Sequence, residues 1–254
     1  MRRITFLFGV TLICLGVTAS ASPINPSRPW GDATSLSELQ GLFTTIGSTI
    51  DAVGDQTGAA NFEATGAGNS VAAYVATVSF GWPELEFGIY NVDDPSQRVE
   101  IFGLSTVSSG DSVTIQFNQG SDFVRAVDLD TLTVIDSSTY FREFGFYAIT
   151  TTDAQTGAGV GPFFSEDDLN PGGYAHFLTY EANGDNVTIG PAGTYNDEGH
   201  WYIATEAGTA VDTTAEDFSD FIVQLESIRF VPEPSSVMLF VIGLGAVAAR
   251  SRIR

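Results

Sequence analysis

A series of short runs in which apolar and polar residues alternate, between residues 70 and 230, restricts the fold most. Glycine, aspartate, asparagine and proline separate the runs, as expected for strands joined by turns. The runs cover residues 71–80, 85–92, 99–104, 112–117, 123–127, 132–135, 142–150, 174–181, 186–189, 200–205 and 221–230. Strands at this spacing, with almost no helical pattern among them, predict an all-β fold, an antiparallel and jelly-roll-like β-sandwich.

One amphipathic helix is predicted ahead of the strands. Ser35 and Glu38 have the spacing of a capping box, in which the two side chains satisfy free N–H groups at a helix start. Apolar residues follow at helical spacing, namely Leu36, Leu39, Phe43, Ile46 and Ile50. We therefore expect a helix over residues 36–53 whose apolar face lies on the β domain, and a loop over 54–69.

The first residues have the pattern of a secretory signal peptide. Two arginines are followed by an apolar stretch over residues 4–15 and by the small residues Ala19-Ser20-Ala21, which predicts cleavage after Ala21. The single cysteine of the chain, Cys14, lies inside this segment. The exported chain then has no thiol, which excludes disulfides, cysteine–metal sites and a cysteine nucleophile.

A second segment of the same kind lies near the other end. Val231-Pro232-Glu233-Pro234 precedes an uncharged stretch over 237–249, and Arg250, Arg252 and Arg254 follow it. As a helix, 13 residues would measure about 20 Å, which is short for a hydrocarbon core of about 30 Å. Because flanking arginines stay on the cytoplasmic side, the prolines are expected on the exported side, extended and accessible to a processing enzyme. An ordinary membrane anchor is the alternative.

This order of a Pro-Glu-Pro box, a short apolar helix and an arginine cluster resembles the PEP-CTERM sorting signal. The resemblance implies export across the inner membrane of a Gram-negative bacterium, transient anchoring there and processing by an exosortase, followed by display at the cell surface or release. It also implies an organism that builds exopolysaccharide. We expect four parts: a signal peptide over 1–21, a leader with the helix over 22–69, the β-sandwich over 70–230 and the sorting signal over 231–254.

The charge of the exported part is strongly negative. Residues 22–231 contain five arginines, no lysine and thirty acidic residues, a net charge of −25. Such a surface repels phosphate backbones and anionic polysaccharide, so nucleic acid is excluded as a partner, whereas divalent cations are attracted. The alternative interpretation is that the acids only keep an exported domain soluble.

Several runs are similar to a domain of unknown function found in PEP-CTERM proteins and other exported bacterial proteins. The similar runs are 87–91 with Asp94-Pro95 and 99–102, 163–172 with His176, 204–206, and 216–223, so the resemblance covers roughly residues 75–230. The resemblance implies a calcium-stabilised loop near the end of the domain, with Glu206, Asp217 and Asp220 at its matching acidic positions. Thr205-Glu206-Ala207 stands where the family has Phe-Glu-Asp, and Ser219 stands where it has asparagine, so two of the expected oxygen ligands are missing.

The residues themselves support the same calcium hypothesis in part. Asp212 and Glu216 add two acids to the segment 206–220. Calcium takes six to eight oxygen ligands at about 2.3–2.6 Å, commonly from carboxylates and carbonyls of a flexible loop. In the alternative interpretation Asp217 and Asp220 only form a turn before the last strand. A second acidic cluster, Glu166-Asp167-Asp168, is either a further calcium site or a solvated loop.

No catalytic motif is recognised, so we expect a protein that is not an enzyme. His176 and His200 fall in predicted strands beside aromatic residues, which favours structural roles. Trp82, between Gly81 and Pro83, is a candidate sugar-stacking residue, although most aromatic residues of a sandwich fill its core. The leading hypothesis is a non-catalytic component of the cell surface or exopolysaccharide matrix. A carbohydrate-binding, lectin-like module is the alternative, and a secreted hydrolase is a third.

Overall fold

A computed structural model describes residues 31–65, 70–78, 85–103, 108, 110–150, 160–190, 193–206 and 217–231. These residues fall within a unit that spans Ser22–Pro232. The described residues include one α-helix, α1 (Ser37–Ile46). The strands are β1 (Phe62–Ala64), β2 (Ser70–Val78), β3 (Leu85–Asn91), β4 (Asp94–Phe102), β5 (Ser112–Asn118), β6 (Phe123–Asp128), β7 (Val134–Ser138), β8 (Glu143–Thr150), β9 (Val160–Phe164), β10 (Phe177–Glu181), β11 (Asn186–Ile189), β12 (Gly193–Asn196), β13 (Trp201–Thr205), β14 (Phe221–Glu226) and β15 (Ile228–Phe230). The predicted signal peptide and the apolar segment 237–249 lie outside the described residues.

Most strands belong to two large sheets. One sheet has the order β15-β1-β8-β3-β4, with β9 also paired to β8, and the other has the order β10-β13-β14-β2-β5-β6-β7. The strands β11 and β12 form a separate hairpin. The pairings among these strands are antiparallel. The predicted all-β antiparallel sandwich is therefore confirmed.

The space between the two sheets is filled mainly by phenylalanine. Phe87, Phe144 and Phe146 face inward from one sheet, and Ile115 and Ile203 belong to the same buried cluster from the other. The rings of Phe87 and Phe146 are stacked with their centroids 5.8 Å apart. Because each such side chain contributes about 1.5–3 kcal/mol when it leaves water, this layer can stabilise the domain without any disulfide.

All five residues of strand β13 are buried, and the packing of its two faces explains why. Trp201 and Ile203 point into the cluster between the sheets, whereas Tyr202 and Ala204 belong to a second buried cluster beneath helix α1. On the helix, Phe43 packs edge-to-face on Tyr202 at 5.6 Å between ring centroids. Both faces of this part of the sheet are therefore covered, one by the opposite sheet and one by the helix.

The predicted helix is correct in place but wrong in both its cap and its length. The hydroxyl of Ser35 accepts a hydrogen bond from the N–H of Asp32 (2.8 Å), and no side chain caps the N-terminus of α1. The helix ends at Ile46 because Gly47 adopts the left-handed conformation that terminates helices (φ 91°). Ile50 is nevertheless buried, so its apolar spacing reflects packing of the segment after the helix.

Three strands lie where none was predicted, namely β1, β9 and β12. β1 is only three residues long and falls in the predicted loop 54–69, so it is too short to display alternation. The predicted strand 221–230 is two strands, because Ser227 has a positive φ of 62° and the chain passes there from one sheet to the other.

The remaining differences concern strand starts. β4 begins at Asp94 instead of residue 99, because Asn91 and Asp94 pair directly in a tight hairpin. β10 begins at Phe177 instead of residue 174, since a 3-10 turn over Pro171–Gly173 precedes it. β7 covers Val134–Ser138 instead of 132–135, and Leu132 has a positive φ of 56°.

Candidate functional site

The predicted calcium ligands lie at one end of the seven-stranded sheet. Strands β10, β13 and β14 are neighbours there, and Thr205 pairs with both Phe177 and Phe221. Glu206 comes directly after β13, and its N–H donates to the carbonyl of His176 at 2.9 Å. The segment 217–220 leads into β14, so antiparallel pairing brings Glu206 beside it.

The carboxyl group of Glu206 organises this turn. Oε2 of Glu206 accepts hydrogen bonds from the N–H groups of Asp217 and Phe218, each at 3.2 Å. Asp217 in turn accepts from the N–H and the hydroxyl of Ser219, at 3.0 and 2.8 Å. Asp217 therefore has the turn-forming role of the alternative interpretation, whereas Glu206 acts as an internal acceptor. The turn is anchored by Phe218, which is buried under helix α1.

Glu206 is a carboxyl group in an unfavourable place for charge. Only 9% of the residue is exposed. Burial raises the pKa of Glu206 to about 8, and the negative charges of Asp220 and Asp217 add to this effect against the hydrogen bond from Phe218. Asp220 also shares a side-chain hydrogen bond with Glu206 that favours the protonated form. At neutral pH, Glu206 therefore carries a proton at the centre of the three acids.

His176 closes the inner side of this site. It is buried, and its ring stacks on Phe163 with centroids 3.8 Å apart. Nδ1 lies 3.2 Å from the carbonyl oxygen of Glu206. Burial lowers the pKa of His176 to about 4, so the ring is neutral at pH 7. A neutral ring whose Nδ1 is held by the backbone serves packing and positions the Glu206 backbone.

The three predicted acids are thus brought together, but calcium binding stays a prediction. Asp212 and Glu216 lie outside the described residues, as does the rest of the loop over 207–216. Within the part of the chain that the structure describes, no group of three or more histidines, cysteines or acids is arranged to hold a metal ion. A calcium ion would therefore need ligands from that loop.

The second acidic cluster forms a 3-10 turn. The carbonyls of Glu166 and Asp167 accept from the N–H groups of Leu169 and Asn170, each at 3.0 Å. Asn170 is buried and ties the turn down, since its Oδ1 accepts from the N–H of Phe164 at 2.7 Å. Asp168 is exposed. The second acidic cluster is therefore part of a surface loop that Asn170 anchors.

Of the three tryptophans, Trp201 is the one that lies among the described residues. Trp82 lies outside the described residues. Trp201 is buried between the sheets, where it packs edge-to-face on Phe62 at 5.0 Å between ring centroids. His200, just before β13, lies with Nε2 3.7 Å from a carboxylate oxygen of Glu226.

One site was missed by the sequence analysis, and we call it the arginine cleft. It is a cleft of about 380 Å³ lined by Glu63, Phe117, Gln119, Tyr140, Arg142 and Arg229, with Ala64. Glu63 accepts hydrogen bonds from both arginines, and Arg142 Nε lies 2.8 Å from Glu63 Oε2. Burial raises the pKa of Glu63, but the hydrogen bonds and charges of the two arginines outweigh burial and hold it below its ordinary value. In the sequence, the small number of basic residues was the only feature that could have drawn attention to these arginines.

The last described residues lead into the predicted sorting signal. Strand β15 lies at the edge of its sheet and pairs with β1. The N–H of Val231 donates to the carbonyl of Asn61 at 2.9 Å, and Pro232, Glu233 and Pro234 follow outside the described residues.

Comparison with protein families supplies the deciding observation for this segment. Residues 230–254 match the model of the PEP-CTERM protein-sorting motif. The chain carries a PEP-CTERM sorting signal. It is exported, held transiently in the membrane by its C-terminal signal, processed there by an exosortase and passed to the cell surface.

Further comparisons add no relative. No curated protein and no solved structure matches the chain. The resemblance of residues 75–230 to a domain of unknown function therefore stays a prediction. Among the described residues, no helix has the length and apolar character needed to cross a membrane; the predicted segment 237–249 and Arg250, Arg252 and Arg254 lie outside them.

Proposed function

We propose that the protein is a non-catalytic structural or adhesive component of the cell surface or exopolysaccharide matrix. The observation that carries this proposal is the PEP-CTERM sorting motif over residues 230–254. The signal delivers the domain to the outside of the cell, where polymers and ions are available as partners. Its strong negative charge repels nucleic acid. Acidic matrix polymers and the acidic domain are then linked by divalent cations, calcium above all.

The distribution of carboxylates supports a role for cations. A cleft of about 360 Å³ near the ends of β4, β5 and β6 is lined by Glu100, Asp111, Asp128 and Asp130. Burial raises the pKa of Glu100, and the negative charges of Glu86 and Asp136 raise it further. Such a concentration of acids favours cations over anions at this surface.

The site around Glu206 supports a more specific role for calcium. A metal-bound carboxylate must be ionised, so an ion at this site displaces the proton of Glu206. Both Asp217 and Asp220 act on Glu206 as negative charges. A bound divalent ion would relieve this repulsion, and ligands from the loop over 207–216 would complete its coordination.

The arrangement of the same acids supports a role without catalysis. Glycosidases hold two carboxyl groups about 5 to 9.5 Å apart, with room for the sugar or a water molecule. Glu206 and Asp220 share a hydrogen bond instead. Glu206 is further occupied by the N–H groups of Asp217 and Phe218. These contacts are those of a structural turn.

The hairpin of β6 and β7 supports adhesion. Four large apolar residues are exposed there, namely Leu129, Leu132, Val134 and Ile135. Strand β7 also forms the edge of the seven-stranded sheet. Exposed apolar groups clustered in this way are typical of surfaces that contact other proteins.

Calcium titration of the exported protein tests the proposal. At a hundred times its dissociation constant, calcium that binds only the folded state should add about 2.7 kcal/mol of stability. The affinity should increase as the pH rises towards 8, because the proton on Glu206 competes with the ion. Calcium-dependent self-association in light scattering should accompany binding. A melting curve that neither calcium nor a chelator shifts would remove the metal site.

A lectin-like role is the second candidate, and the arginine cleft favours it. The cleft combines the donors of two arginines with the ring of Tyr140, and both kinds of group can contact a sugar. Glycan-array binding tests this role. Loss of the signal in Trp82→Ala would place binding at Trp82, whereas no glycan signal with calcium-dependent self-association would favour the structural role.

A further inference from the structure

Two of the five arginines in residues 22–231 meet at one buried carboxylate. Glu63 of β1 pairs in register with Arg229 of β15, and Arg142 reaches Glu63 from the residue before β8. The side chain of Glu63 is 10% exposed, whereas those of Arg142 and Arg229 are 67% and 63% exposed. Their guanidinium groups are therefore fixed from below by Glu63 and open to solvent above.

Each guanidinium retains hydrogen-bond donors beyond those used by Glu63. Arginine has five N–H groups in a planar fork. Arg142 directs Nε and Nη2 at Oε2 of Glu63, with both N–O distances 2.8 Å. Arg229 directs the same two nitrogens at Oε1. The Nη1 groups of both arginines are not used by Glu63, and their planar geometry suits a carboxylate or a phosphate.

The lining of the cleft carries more positive than negative charge although the domain is acidic. Among the residues that line the cleft, two guanidinium groups face one carboxylate, which leaves one net positive charge. Glu143 does not line the cleft, but it lies opposite Glu63 in the register of β1 and β8 and offsets part of this charge. More distant acids are screened, because the Debye length is about 8 Å at physiological ionic strength.

The rest of the cleft offers both apolar and polar contacts. Tyr140 is partly buried and presents ring surface next to the charged groups, whereas Phe117 is buried at the base of the cleft. Gln119 is exposed and supplies an amide. At about 380 Å³, the cleft falls within the range of about 300–1,000 Å³ that is usual for small-ligand sites. Ring surface, an amide and a pair of arginines match a sugar ring that carries a carboxylate.

We propose that the arginine cleft binds a carboxylate-bearing sugar residue of an acidic polysaccharide directly, without a bridging cation. The carboxylate accepts hydrogen bonds from Arg142 and Arg229, and the sugar ring lies on Tyr140. That the polysaccharide belongs to the cell's own matrix rests on the proposed function, whereas the cleft rests on its own geometry. Cation bridging and this direct contact are separate modes of attachment.

Calorimetry with oligogalacturonate, in the presence of chelator and at low salt, tests the proposal. The exported protein should bind the acid form and not its methyl ester, which has the same rings without the charge. Arg229→Gln should weaken binding about tenfold or more, because charged hydrogen bonds to the ligand are lost. Equal binding of acid and ester, or unchanged binding by Arg229→Gln, would overturn the proposal.

Arg125→Gln is the matched control. Arg125 lies on β6, over the ring of Phe123, and hydrogen-bonds Gln116. Its replacement changes the net charge by the same amount as Arg229→Gln, so it should leave binding unchanged. If both variants weaken binding equally, only the overall charge matters and the cleft is not the site.

A second variant covers the case in which Arg229→Gln does not fold. Tyr140→Leu leaves all the charges of the cleft in place and should weaken binding about threefold through loss of ring contact. Unchanged binding by Tyr140→Leu would contradict the assigned position of the sugar. Binding that needs calcium and is insensitive to the variants at Arg229 and Tyr140 would overturn the cleft but support cation bridging. Binding that occurs without calcium and is lost in these variants would support the cleft as the binding site. This result would not depend on whether the protein acts in the matrix.

Discussion

Replacing Glu206 with glutamine should change how the stability of the domain depends on pH. The folded pKa of about 8 lies above the ordinary value of 4.5. Between these two pH values the folded state holds a proton that the unfolded chain has lost. The stabilisation from this group is therefore fully present below about pH 4.5 and is lost as the pH rises through about 8.

The size of the effect follows from the same two pKa values. One proton changes the free energy of unfolding by at most about 1.4 kcal/mol per pH unit. Between pH 5 and 8 this amounts to roughly 3 kcal/mol lost by the wild type through Glu206. Glutamine has no proton to lose in this range, its oxygen can accept from Asp217 and Phe218, and its amide can donate to Asp220. The free energy of unfolding of Glu206→Gln should therefore not decrease in this way between pH 5 and 8.

Urea unfolding at pH 5, 6, 7 and 8 with chelator present measures the difference. The wild type should lose roughly 3 kcal/mol more than Glu206→Gln over this range, because contributions from groups that do not interact with Glu206 cancel between the two proteins. Glu198→Gln, at an exposed position, is the control and should follow the wild type. Parallel curves for wild type and Glu206→Gln would refute the assignment of the proton to Glu206.

Two further predictions concern the sorting signal and the packing. Pro232→Ala combined with Pro234→Ala should leave an uncleaved precursor in the membrane fraction, and normal maturation in an immunoblot would count against exosortase recognition of the prolines. Gly88→Ala should destabilise the domain by about 1–3 kcal/mol, because a Cβ there would lie 2.3 Å from the carbonyl oxygen of Val99. Gly41→Ala, in helix α1 with no atom within 4 Å of such a Cβ, should instead stabilise it by about 0.5–1 kcal/mol; melting temperatures that move alike would contradict this contrast.

The sequence was sufficient to predict the fold class because alternation is a local property of each strand. It failed where tertiary structure decides the outcome. The apolar spacing continued past Gly47 to Ile50, so the helix was extended beyond a glycine that the backbone uses to end it. Strand β1 is recognisable only through its neighbours, since it consists of three residues between β8 and β15.

The candidate sites show the same limit. The acids at 206, 217 and 220 could be found from residue type and spacing, whereas the protonation of Glu206 depends on burial, which no local pattern reveals. The arginine cleft joins residues 63, 142 and 229, which are distant in the chain. Only the pairing of β1 with both β8 and β15 brings them together. A site whose residues are brought together only by the order of strands in a sheet therefore cannot be found from local sequence patterns.

The position of the sorting signal fixes what processing leaves behind. Strand β15 contributes Ile228 to the core and pairs with β1 up to Phe230. Val231 adds one more backbone hydrogen bond to Asn61, and Pro232 is the next residue. Cleavage at or after Pro232 therefore removes the membrane segment without breaking a described contact of the sandwich. Because Arg229 lies before this point, the arginine cleft stays complete in the processed protein.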